Sequence, residues 1–202
     1  MDQPAAADPR LKAWSRGFVV AGGQSSRMGQ DKARLPYGES TLIEHAIAST
    51  RKVTPDIRIL CGPRRRYEEF GVPVLEDPVC GVGPLGGLYA ALLSASIDGC
   101  RRIFWLAVDL PLVRPSFVAR LVSELDRADA VMARTEHGPE PLCAAFRTEP
   151  ALAQVRRALL EGTLKLTSAL EGLSLRMVDA DPLTFANLNT RLEYEELLPN
   201  RQ

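Results

Sequence analysis

The sequence predicts an α/β fold in three layers, a mostly parallel sheet flanked by helices. Three observations lead there. Short apolar runs alternate with helix-like stretches through the first two-thirds of the chain. One run, RIFWLAV at 102–108, is too uniformly apolar for a half-exposed strand and suits the centre of a parallel sheet. The length, 202 residues, fits one domain with a sizeable core.

Taken in order, residues 1–15 read as a disordered polar tail, and 16–202 as a single domain. MDQPAAADPRLKAW has no apolar core and so does not read as a secretory signal. GFVVA at 17–21 is a buried strand that ends in glycines. A helix is expected over 41–52, because Thr41 and Glu44 have capping-box spacing and Leu42, Ile43, Ala46 and Ile47 share one face. IRIL at 57–60 and VPVLED at 72–77 are the next strands. A helix opens at Pro84, although two glycines weaken its first turn. After the strand at 102–108, another helix starts near Pro115, with Phe117, Val118, Leu121, Val122 and Leu125 at helical spacing. Strands follow at 129–133, 141–146 and 174–179, with helices near 150–160 and 164–171. Thr190 and Glu193 repeat the capping-box spacing at a last helix.

Composition excludes several classes. Lys and Arg number 25, as do Asp and Glu, so the chain lacks the basic excess of a general nucleic-acid binder. No apolar run reaches the length of a membrane span. The four cysteines, Cys61, Cys80, Cys100 and Cys143, are dispersed, and the only histidines are His45 and His137. That spacing gives no zinc site, and free thiols in a reducing cytoplasm are expected.

In open parallel sheets ligands sit beyond the carboxyl ends of the strands, so chemistry is expected in the loops after residues 21, 77 and 108. The first loop reads AGGQSSRMGQDK. Gly22 and Gly23 allow a sharp turn and bring backbone N–H groups close to anionic oxygens, while Arg27 and Lys32 add positive charge for a triphosphate. Glycines after a strand also make plain turns, but Gly-Gly, Arg, Met-Gly and Asp-Lys within twelve residues are far more specific. The loop matches neither G-x-x-x-x-G-K-[ST] nor G-x-G-x-x-G. Asp109, in VDLP, ends the most buried strand, where a carboxylate can hold Mg²⁺ or simply start a turn. Asp77, in LED before Pro78, has the same two readings.

Gly81, Gly83, Gly86 and Gly87 surround Pro84, as a ligand cradle at a helix N-terminus or as tight helix–strand packing. Asn187 and Asn189 alternate in FANLNT and so fall on one strand face, although asparagine is also common in turns and caps. Lys165 and the arginines at 64–66 read as solvated surface.

VAGGQSSRMGQDKARLPYG resembles the signature of the MobA-like nucleotidyltransferases. The likeness continues in order through LEDPVCGVGPLGGLYAAL, FWLAVDLPLV, EPLCAAF and FANLNT. The resemblance implies a Rossmann-like nucleotidyltransferase domain that transfers GMP from GTP to the terminal phosphate of molybdopterin, releasing pyrophosphate. It implies a nucleotide site at Val20, Ala21, Gly22, Gly23, Lys32, Asp77 and Asp109, with Mg²⁺ (or Mn²⁺) on Asp109. It implies catalytic roles for Arg27, Lys32 and Asp109, and acceptor contacts at Gly86, Asn187 and Asn189. It also implies transient contact with proteins that deliver the pterin or receive the finished cofactor. Two departures stand out: Cys61 replaces a frequent asparagine and cannot reproduce an amide contact, and Arg191 replaces a proline that would only preset a helical turn. Rival readings are a cytidylyltransferase of the same pathway, a sugar-phosphate nucleotidyltransferase, and a non-catalytic nucleotide-binding module.

Overall fold

The computed structural model describes residues 15–22, 31–79 and 81–185. Residues 1–14 of the tail expected at 1–15, Gly23, Arg27, Asn187, Asn189 and the helix expected at Thr190 lie outside the described residues, and Ser15 is not tail but the buried first residue of the first strand.

A seven-stranded sheet forms the middle layer. Its strands are β1 (Ser15–Val20), β4 (Ile57–Leu60), β5 (Val74–Leu75), β6 (Arg102–Ala107), β7 (Ala130–Thr135), β8 (Gly138–Arg147) and β9 (Leu175–Asp179). Two short strands, β2 (Pro36–Tyr37) and β3 (Ser40–Thr41), make a separate hairpin. The spatial order is β5-β4-β1-β6-β8-β7-β9. Every neighbouring pair from β5 to β6 is parallel, and β8 alone runs against its neighbours. The sheet is therefore mostly parallel, as expected.

Alternation along the strands assigns the two faces. Phe18, Ile103 and Trp105 face α2 (Pro84–Ile97), α4 (Thr148–Leu160) and α5 (Leu166–Ala169). Val19, Phe104 and Leu106 face the opposite layer, α1 (Leu42–Arg51) and α3 (Pro115–Glu124). Burial on both faces explains why 102–107 has no polar alternation. Gly17 lets α1 close onto the sheet: a Cβ there would lie 2.5 Å from the Thr50 methyl and 2.8 Å from the Phe104 ring.

Helix starts match the sequence signals. Thr41 and Glu44 form the reciprocal capping box, with the Thr41 N–H donating to the Glu44 carboxylate at 2.8 Å. Pro84 and Pro115 each open a helix, where the missing N–H costs nothing. Two readings need correction. The strand expected at 72–77 is reduced to Val74–Leu75, because the chain leaves the sheet edge at once to place Asp77. The strand at 141–146 is longer and antiparallel, since Glu136 and His137 make a tight turn into Gly138 at φ +115°. No helix among the described residues is long and apolar enough to cross a membrane.

Candidate active site

The carboxyl ends of β1, β4, β5 and β6 converge at one edge of the sheet. Ala21 and Gly22 leave β1 with both N–H groups donating to the Leu60 carbonyl at 2.9 Å. Gly22 then passes so close to Gly62 that a Cβ would lie 2.7 Å from the Gly62 nitrogen. Beyond β5, the Asp77 N–H donates to the Gly62 carbonyl at 3.0 Å, tying this loop to the one that follows β4.

Lys32 re-enters this edge on a single 3₁₀ turn, Lys32–Arg34, capped by the Asp31 carboxylate accepting from the Ala33 N–H at 3.2 Å. Its ammonium meets Asp109 Oδ2 at 3.0 Å, and both side chains are mostly buried. Asp109 lies just past β6. The loop that carries it is held from α1, where His45 Nε2 is 2.9 Å from the Pro111 carbonyl. A carbonyl only accepts, so this nitrogen bears the proton. Two residues spaced 77 apart in sequence are thus brought into one charge-assisted contact.

Asp77 sits against the first turn of α2. Gly87 touches it, with a hypothetical Cβ 3.4 Å from Asp77 Oδ1. That oxygen is buried without a hydrogen-bond partner among the described residues, and burial raises the carboxyl above its ordinary range. A buried acceptor held open in this way suits a ligand that brings its own donor. Ionisation is opposed in the folded state, so the sign is opposite to that of a salt-bridged aspartate. Well below the unfolded value of about 3.9 the group is protonated in both folded and unfolded chains and costs nothing. As pH rises through the raised folded value, the full penalty develops. Asp77→Asn is therefore expected to raise stability at neutral pH. Thermal melts should show this gain shrinking to nothing well below about pH 3.9, while nucleotide affinity falls. A gain that grows towards acid pH would contradict this account.

Gly86 is explained by packing. A Cβ there would lie 2.8 Å from the Val79 carbonyl, so α2 could not begin so near the loop with any other residue. Cys61 is fully buried, and its thiol donates to the Leu75 carbonyl at 3.1 Å. Val20 ends β1 half-buried and pairs with Ala107, directly beside the Asp109 turn. Arg66 is not simply solvated surface. Its Nε donates to the Cys61 carbonyl at 3.2 Å and its guanidinium covers the Tyr67 ring.

Sequence reasoning missed Glu140. Met132 pairs with Ala144 but Ala133 pairs with Glu140, so residues 141–143 leave the β7 ladder as a bulge. The buried Trp105 indole donates to the Pro141 carbonyl at 2.7 Å and fixes that bulge. The β6–β8 register ends at Leu106–Cys143, and the Asp109 charge acts on Glu140. Burial raises the Glu140 carboxyl above its usual range; the Asp109 charge adds to this, against a long Thr135 hydroxyl contact of 3.4 Å and the His137 charge. The only available signal was Glu-Pro inside a strand, where proline marks a break in the ladder.

A divalent cation fits this chemistry. Lys32 engages Oδ2 of Asp109, which leaves a hard carboxylate oxygen at the sheet edge. No group of three metal-ligating side chains exists among the described residues. A single carboxylate can hold Mg²⁺ when water and substrate phosphates complete its shell.

The family description MobA-like NTP transferase domain matches residues 17–174. A probable molybdenum cofactor guanylyltransferase of Mycobacterium tuberculosis H37Rv is 33% identical over 177 residues, covering 85% of this chain and 88% of the relative. Among solved structures, the molybdopterin-guanine dinucleotide biosynthesis protein A of Archaeoglobus fulgidus superposes with a TM-score of 0.72 at 25% identity, covering 91% of this chain and 96% of its own. A second M. tuberculosis protein, crystallised in complex with manganese, shares the fold at a TM-score of 0.64 and 16% identity, over 92% of this chain and 97% of its own. The mostly parallel sheet and the match over residues 17–174 agree, and the chain belongs to the MobA-like NTP transferase family of nucleotidyltransferases.

Proposed function

We propose that the protein transfers GMP from GTP to the terminal phosphate of molybdopterin in the cytoplasm, releasing pyrophosphate and forming molybdopterin guanine dinucleotide. The observation that carries this reading is the Lys32–Asp109 pair at the carboxyl edge of the sheet, beside the Gly22 turn. The relatives named above as guanylyltransferase and as guanine dinucleotide biosynthesis protein supply the nucleotide and the acceptor.

An oxygen of the acceptor phosphate attacks the α-phosphorus of GTP, and the bond to the oxygen bridging the β-phosphorus breaks as pyrophosphate leaves. Both reactants are anions, so the protein's work is positioning and charge neutralisation, and no protein nucleophile is needed. Lys32 and Arg27 offset the charge that grows on pyrophosphate. Ala21, Gly22 and Gly23 present backbone groups to the nucleotide, with Val20 at the base edge. Asp77 accepts a hydrogen bond from the nucleotide. Mg²⁺, or Mn²⁺ in its place, would be held by Asp109 and would neutralise phosphate oxygens. Gly86, Asn187 and Asn189 are assigned to acceptor recognition, and the pterin is handed over in transient contact with a carrier or a molybdoenzyme.

Pyrophosphate release from GTP, Mg²⁺ and molybdopterin tests the reading. Turnover is expected with GTP and molybdopterin together. Preference for CTP would make the chain a cytidylyltransferase, and turnover with a hexose 1-phosphate a sugar-phosphate enzyme. Nucleotide binding without any pyrophosphate release would leave only a binding module.

A further inference from the structure

Tyr67 is completely buried, and its hydroxyl reaches both stems of the nucleotide loop. It lies 3.3 Å from the Ala21 carbonyl on the outgoing stem, and 2.9 and 3.0 Å from the two Asp31 carboxylate oxygens on the returning one. All three are acceptors, so one phenolic proton serves them, with the shorter contacts to the carboxylate dominating. Burial and these partners push the phenol far above its ordinary range, which keeps that proton in place.

The surroundings hold the ring where it is. The Arg34 and Arg66 guanidiniums stand 5.5 and 5.0 Å from the ring centroid, and each also pairs with Asp31 at 3.6 Å. Tyr67 has φ +77°, the only positive value at a non-glycine among the described residues. A bulky residue in that region is strained, and the strain persists because packing over-determines it.

We propose that Tyr67 is a positioning residue: its hydroxyl latches the two stems together and, through Asp31, fixes the turn that carries Lys32. Asp31 is the coupling element, because the same carboxylate caps the Lys32–Arg34 turn. The link runs from Tyr67 to Asp31, to the turn, and on to the Lys32–Asp109 contact. This rests on the phosphate-contacting role of Lys32 given above, and it requires neither guanine nor the pterin.

The test is calorimetric binding of the four nucleoside triphosphates with Mg²⁺, using whichever the wild type binds most tightly. Tyr67→Phe keeps the ring and its stacking and removes only the hydroxyl. It is expected to weaken binding roughly 10-fold, the scale of one hydrogen bond to a charged group. In a Lys32→Ala background the same substitution is expected to change affinity by less than about two-fold, because both act through one side chain. Equal losses in the two backgrounds, or wild-type affinity in Tyr67→Phe, would overturn the latch while Lys32→Ala still binds weakly. Wild-type affinity in Lys32→Ala would instead remove the role of Lys32, and the latch with it. If melting shows that Tyr67→Phe does not fold, Asp31→Asn serves in its place. Asn keeps the cap and weakens the charged contacts, with the same two outcomes expected.

Discussion

Lys32→Ala is expected to lower kcat by roughly 10²–10³-fold, the cost of losing one preorganised electrostatic contact at a developing charge. The site is built for that loss to be large. Lys32 is mostly buried, its turn is capped by Asp31, and its ammonium is already desolvated beside Asp109. No reorganisation is then needed when pyrophosphate charge develops. Asp109→Asn is expected to lose a similar factor, with a different signature. It removes the charge that helps raise Glu140, so the Glu140 carboxyl should move back towards its ordinary range, which a carboxyl-resolved NMR titration would detect. In Lys32→Ala, by contrast, Asp109 keeps its charge, so Glu140 should stay raised. Steady-state pyrophosphate release at saturating Mg²⁺ checks the rate. Unchanged kcat and KM in Lys32→Ala would remove its catalytic role, whatever the titration shows.

The sequence made the parallel half of this molecule legible because its signals are local. GFVVA, IRIL and RIFWLAV announce strands by composition, and Thr41, Pro84 and Pro115 announce helix starts by capping chemistry. That Asp77 and Asp109 fall just past strand ends, with Lys32 against Asp109, was legible in part because loops at the carboxyl ends of such sheets are where ligands are expected. What escaped depends on tertiary register. The direction of β8 is set by a tight turn at Glu136 and His137, and the position of Glu140 by a bulge that only the Trp105–Pro141 contact defines. Tyr67 carries no motif at all. Its importance lies in a hydroxyl that meets residues 36 and 46 positions away. His45 was read only as too isolated for zinc, yet its Pro111 contact steadies the Asp109 loop. At Gly86 the sequence offers a ligand cradle or tight packing, and the close Val79 carbonyl supplies the packing requirement in a way that only the tertiary structure shows.

Gly22→Ala is expected to cost about 1–3 kcal/mol in stability and to lower kcat/KM on the order of 10²-fold. The added methyl would lie 2.7 Å from the Gly62 nitrogen, 2.9 Å from its Cα and 3.2 Å from the Cys61 carbonyl carbon. All three are backbone atoms, so no rotamer change relieves the clash. Gly62 cannot simply retreat either, because its carbonyl accepts from the Asp77 N–H. On the other side, the Ala21 and Gly22 N–H groups hold Gly22 to the Leu60 carbonyl. Strain at this one point therefore displaces either the loop that leads to Lys32 or the one that ends in Asp77. A displacement near 1 Å is enough for a loss of about 10²-fold in a reaction governed by positioning. Gly87→Ala supplies the contrast. Its methyl would make only an ordinary contact, 3.4 Å from Asp77 Oδ1, inside a helix where alanine gains about 0.5–1 kcal/mol over glycine. Melting temperatures of the two variants should thus move in opposite directions, and a stabilised Gly22→Ala protein with full activity would refute the close approach of the β1 and β4 loops.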